Sequence, residues 1–202
     1  MGLSDVRLFD IIERRLLEDA AAGRANSNEK NRVARYVRSL GFSGQSKYEP
    51  TLAKFAADPV YGRYAKEALD DLRDYSKWNP VISNRSSFVP PLSDDANRVL
   101  NMLRSNDLLL QRVGAKRVYF GTHDDSVFEL LAQQLRTSYV RTDLNDRERG
   151  DSVAWMAKAL GTSKNAKYIA LLDEVAANCK SQVVVRHAKD ALVKNYGRPR
   201  SG

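Results

Sequence analysis

Apolar residues recur along this chain at steps of three and four, the period of a helix with one buried face. In DVRLFDIIERRLLEDAAAG, Val6, Phe9, Ile12 and Leu16 fall on one stripe; in SVFELLAQQLRTSY, Val127, Leu130, Leu131 and Leu135 do the same. Apolar–polar alternation, the period of a strand, is scarce. The punctuation also suits helices. Ser126 and Glu129 have the spacing of a capping box, and Asp58 sets a capping acid before Pro59, a residue tolerated in a first helical turn. Gly41 and Gly161 follow Leu40 and Leu160, where a left-handed helix end favours glycine. SNRSS and VPPL break the pattern and predict a loop over 76–92, and the ending YGRPRSG predicts a disordered tail over 196–202.

The same phrases occur twice. VARYVRSLGFSGQSKYEPTLAKFAA (33–57) meets VAWMAKALGTSKNAKYIALLDEVAA (153–177) at a shift of 120, with Val33, Ala34, Leu40, Gly41, Ser43, Lys47, Tyr48, Leu52, Ala56 and Ala57 identical to their partners. RYAKEAL (63–69) meets RHAKDAL (186–192) at a shift of 123, and FDIIERRL (9–16) meets FELLAQQL (128–135) at 119. The shifts change within turns. Such self-similarity marks a repeat architecture. It predicts helices near 5–22, 28–40, 46–57 and 59–74, repeated near 125–137, 147–160, 165–178 and 181–195, with two connecting helices near 94–104 and 107–119. Residues 5–74 and 125–195 are then copies of one four-helix unit, with Arg63 matching Arg186, inside a single helical-repeat domain spanning 1–202.

The second helix of each pair carries a further signal. Asp58 stands five residues before Arg63, followed by Ala65, Ala68 and Leu69; Asp107 stands five before Arg112, followed by Ala115 and Val118. Arg186, Ala188, Ala191 and Leu192 repeat the pattern with Ser181 in place of the acid. In these positions the chain resembles the HEAT-repeat family over most of residues 5–195. The resemblance implies an all-α fold of about ten helices: a right-handed α-solenoid of stacked antiparallel hairpins, used chiefly to bind other macromolecules. An arginine recurring at one position can bridge to an acid of the neighbouring hairpin and form a ladder.

Composition narrows the chemistry. The chain has 202 residues, 43% hydrophobic and 29% charged, with a net charge of +8. That charge permits an anionic partner. No apolar run reaches the roughly 20 residues of a membrane-spanning helix, and the start lacks a basic segment followed by an apolar core, which predicts a cytoplasmic protein. Val6 stands where a myristoylation signal requires Ser or Thr. Cys179 is the one cysteine, so neither an intrachain disulfide nor a cysteine zinc site is expected. THDD (122–125) offers His123 and two acids, but their place before an apolar run predicts a helix-capping turn. His187 matches Tyr64 in the other copy and reads as a half-buried packing residue. No nucleophile–histidine–acid arrangement, phosphate loop, metal site or cofactor is implied.

The candidate binding residues are therefore basic and aromatic. Arg63 with Lys66, Arg112 with Lys116, and Arg186 with Lys189 each share a helix face and together form a stripe; the alternative is that the arginines serve the ladder and the lysines solvation. Trp78, at the edge of the predicted loop, is the better exposed aromatic, whereas Trp155 lies in an apolar helix and reads as core. These features predict a non-enzymatic scaffold for a protein partner. A nucleic-acid-binding surface is the alternative, and a HEAT-like DNA glycosylase is a more distant one.

Overall fold

The stripes fold as helices. The computed structural model describes residues 5–22, 26–121 and 124–198, and among these residues it is all-helical, with no strand. The helices are α1 (Val6–Asp19), α2 (Ser27–Phe42), α3 (Glu49–Ala56), α4 (Gly62–Ile82), α5 (Asp94–Arg104), α6 (Leu108–Phe120), α7 (Asp125–Tyr139), α8 (Arg147–Gly161), α9 (Ile169–Asn178) and α10 (Gln182–Tyr196). No helix among the described residues is long and apolar enough to cross a membrane.

The chain divides into two compact units, residues 1–83 and 84–202. In the first, α1 packs on α2, α3 packs on α4, and α2 packs along α4. Phe9, Leu16, Val37, Leu40, Tyr48, Leu52 and Leu72 fill its core. In the second, the hairpins are α5–α6, α7–α8 and α9–α10, and α6 and α10 both pack against α8. This central helix is buried over most of its surface, and Gly150, Ser152, Ala154, Ala157, Ala159 and Gly161 keep it slim enough to be flanked on two sides.

The sequence repeat reappears as repeated contacts. Residues 46–48 and 166–168 are both short 3₁₀ turns that lead into a helix. Lys47 pairs with Asp10 at 2.5 Å and lies 5.0 Å over the Tyr48 ring. Lys167 pairs with Glu129 and lies 5.0 Å over the Tyr168 ring. Gln45 N–H donates to the Ser43 hydroxyl, and Asn165 N–H donates to Ser163, both at 3.2 Å.

Gly41 and Gly161 do not end their helices in the left-handed region. That conformation falls three residues later, at Gly44 (φ 63°) and Lys164 (φ 52°). The two glycines instead let helices touch. A Cβ on Gly41 would lie 2.6 Å from the Ala68 carbonyl oxygen, and one on Gly161 would lie 2.8 Å from the Ala191 Cβ. Ala68 and Ala191 are themselves partners in the repeat. The Ser126–Glu129 capping box also does not form: α7 starts at Asp125, which puts Ser126 inside the helix, and Glu129 is taken by Lys167.

Helix α4 runs past the loop expected from 76 and contains Pro80. A proline inside a helix removes one hydrogen bond and crowds the preceding turn. Packing overrides that cost here. Tyr75, Trp78 and Ile82 are buried, and the Asn79 amide donates to the Phe42 and Ser43 carbonyls at 3.3 and 2.9 Å. At the other end of the chain, Tyr196 closes α10 and Gly197 caps it with φ 67°; the remainder of the expected disordered tail, 199–202, lies outside the described residues.

Intrinsic propensity favours alanine over glycine in a helix by about 1 kcal/mol. The close approaches reverse that preference. Gly41→Ala and Gly161→Ala are each expected to lower stability by about 1–3 kcal/mol through overpacking, as read from urea unfolding. Unchanged or raised midpoints would show that the approaches are not tight.

Candidate functional site

The three places that carry the repeated acid are built differently, and Asp58 with Pro59 does not open α4, which begins at Gly62 after a turn over 59–61. The Asp58 carboxylate accepts from Val60 and Tyr61 N–H at 2.8 and 3.1 Å, and Asp107 accepts from Leu110 N–H at 2.9 Å. Ser181 makes no side-chain cap. It is buried, with its hydroxyl 3.1 Å from the point a Cβ on Gly150 would occupy, so a carboxylate would be both crowded and desolvated there.

The recurring arginines also diverge. Arg112 reaches Asp151 on α8 at 2.6 Å, a rung between adjacent hairpins. Arg63 instead pairs with Glu67 on its own helix at 3.0 Å, with its side chain 86% exposed. Arg186 is exposed. Arg63 and Lys66 belong to the first unit, on a helix that also carries Glu67, Asp70, Asp71 and Asp74. Burial, with the neighbouring charges of Asp74, Glu67 and Asp70, holds the Asp71 carboxyl above the usual range. The basic pair on α4 therefore lies in acidic surroundings. Lys189, the lysine shared between the copies, is exposed.

In the second unit, Lys116 joins a cluster that the sequence stripe did not include. Aligned small residues draw α6 and α10 onto α8, and the exposed edge of that layer carries Tyr119 and Phe120 from α6, Trp155 and Lys158 from α8, and His187 and Lys194 from α10. The Lys158 ammonium lies 4.3 Å from the ring centroids of both Tyr119 and Trp155. Lys116 lies 4.8 Å over Trp155. Tyr119 meets Phe120 edge-on at 4.8 Å and Trp155 at 5.7 Å. These are attractive geometries for cations on π faces and for aromatic edges. Burial, helped by the charges of Arg112 and Lys158, depresses the Lys116 pKa.

Beside this cluster opens a cleft of about 460 Å³, walled by Phe120, Lys158, Thr162, His187, Lys194 and Asn195, with Asp190 on the same wall. Phe120 is 77% exposed. Trp78, the aromatic expected to be exposed, is instead 6% exposed inside α4, because the helix continues past the predicted break. Trp155 has one side on the core and the other under two lysines, so it is not the plain core residue its neighbours suggested.

The repeat alignment shows how the cleft differs from its counterpart in the first unit. Phe42 corresponds to Thr162, Tyr64 to His187, Asp71 to Lys194 and Leu72 to Asn195. Bulk is lost at three of these positions, and charge is reversed at the fourth. Arg38, the counterpart of Lys158, is tied up by Glu67 at 3.7 Å and lies 4.8 Å over Tyr64. Differences between the copies were the available sequence signal, whereas the stripe was built from their agreements.

Cys179 is buried, with its thiol donating to the Tyr139 carbonyl at 3.7 Å, and burial pushes its pKa up. His123 lies outside the described residues, and among those residues no group of three or more His, Cys, Asp and Glu side chains could hold a metal ion.

Burial and then the charges of Arg186 and Lys158 hold His187 below its usual pKa, against the opposing pull of Asp190 and Asp151. The ring is neutral at pH 7. Unfolded chain takes up its proton first as pH falls below about 6.5, so this group's contribution to stability is complete above that pH and declines below it. An NMR titration is expected to place His187 below 6.5, with Lys158→Gln raising it; a pKa at or above 6.5 would contradict the burial. No protein-family model, curated protein or solved structure matches this chain, so a functional reading rests on the cleft's own geometry.

Proposed function

We propose that the chain is a non-enzymatic, HEAT-like helical-repeat scaffold that binds a protein partner, with the cleft of the second unit as the docking point. The observation that carries this reading is Phe120, a large apolar side chain 77% exposed at the rim of a cleft rather than scattered on open surface. Interfaces concentrate their energy in a few aromatic anchors bordered by polar groups, and Tyr119, Phe120 and Trp155 with Lys116 and Lys158 have that composition.

Nucleic acid is less well served. A phosphate backbone needs a run of available cations. Arg112 is neutralised by Asp151, and Arg63 is neutralised by Glu67. In the cleft, Asp190 lines the wall beside Lys158 and Lys194.

Replacing Phe120 with the photo-crosslinker p-benzoylphenylalanine puts a probe of similar shape at the rim. Irradiation in the native cell extract is expected to yield a protein adduct that Lys158→Glu reduces by about tenfold or more. Adducts only with nucleic acid, or protein adducts indifferent to Lys158, would overturn the proposal.

A further inference from the structure

We infer that the cleft takes an acidic peptide segment in which an aromatic or large aliphatic side chain is flanked by carboxylates, the apolar group seating against Tyr119 and Phe120 and the carboxylates on Lys158 and Lys194. This deepens the protein-binding reading and rests on it.

The volume suits such an occupant. A cleft of about 460 Å³ holds a side chain and its neighbours, within the usual size of ligand-enclosing sites. The lining has two characters. Tyr119 and Phe120 are apolar, with Phe120 77% exposed. Lys158 and Lys194 are cationic, and neither forms an ion pair among the described residues. Lys158 is also positioned in advance, since two rings hold its ammonium at 4.3 Å. A group already held in place loses little freedom when a ligand arrives.

The remaining lining groups favour a peptide over a phosphate. The Thr162 hydroxyl donates to the Ala159 carbonyl and keeps acceptor capacity, and the Asn195 amide, which donates once to the Ala191 carbonyl, keeps a second N–H and its oxygen, a mixed set that matches a backbone. The comparison with the first unit points the same way. There the matching places hold Glu67 and Asp71, and Arg38 is already paired with Glu67. Replacement of Asp71 by Lys194 exchanges one of two acids for an ammonium, with Asp190 kept in the place of Glu67.

The test is calorimetric titration of the full chain with an acetylated, amidated pentapeptide, Glu-Glu-Phe-Glu-Glu. Its controls are Gln-Gln-Phe-Gln-Gln, Glu-Glu-Ala-Glu-Glu and a single-stranded uridine oligonucleotide. The expected Kd is below about 1 mM, with both control peptides weaker by about tenfold. Lys194→Gln, an exposed change that leaves the core intact, weakens binding by about threefold or more, and Lys189→Gln, outside the cleft on the same helix, leaves it unchanged. No binding at millimolar peptide, equal binding of the glutamine peptide, indifference to Lys194→Gln, or tighter binding of the oligonucleotide through Lys194 would each overturn the inference. Protein crosslinks at Phe120 without binding of the acidic peptide would remove the acidic-ligand inference and leave the protein-binding reading; nucleic-acid crosslinks alone would remove both.

Discussion

Two helices can lie nearly backbone to backbone only where neither carries a side chain of any size. Gly41 against Ala68 and Gly161 against Ala191 meet that condition at equivalent points of the two units. In the second unit the consequence extends to the surface. Because α8 is slim, α6 and α10 can both reach it, and residues from three helices that are far apart in sequence come together along one edge. A bulky residue at 161 would push α10 away and separate His187 and Lys194 from Lys158. The packing that stabilises the unit is thus also what gathers the cleft.

Helix positions were largely legible in the sequence because each one buries a stripe with helical period, and the repeat confirmed the register twice. What misled were local rules applied where tertiary contacts decide. Gly41 and Gly161 do lie at helix ends, but neither is a left-handed cap, and each is a point of close contact with another helix. Ser126 and Glu129 have capping-box spacing, but Lys167 claims the glutamate. Pro80 signals a break, but Asn79 and the buried faces of Trp78 and Ile82 carry α4 through it. Trp78 is therefore buried inside α4 rather than on a loop surface, and the strongly exposed aromatic is Phe120.

The cleft itself was only partly legible. Lys116 was in the basic stripe, but Tyr119, Phe120 and Lys194 were not, and no periodicity distinguishes an exposed phenylalanine at a helix end from a core one. Arg63, Arg112 and Arg186 look interchangeable in the sequence, yet one bridges hairpins, one pairs within its own helix and one is exposed. An acid within reach decides among these fates, and reach is a property of the fold.

The self-similar segments of the sequence offer an internal comparison. Positions kept in both units, such as Leu40 with Leu160 and Ala68 with Ala191, answer to packing, since both copies must solve the same steric problem. Positions that changed are released from that demand. Changed positions occur throughout the second unit, and Thr162, His187, Lys194 and Asn195 are those among them that line the cleft. There the changes remove bulk and exchange a carboxylate for an ammonium, which opens the concavity and makes it more cationic than the matching surface of the first unit. By the same reasoning Lys66 and Lys189, alike in both units and outside the cleft, answer to what the units share rather than to what the second unit binds.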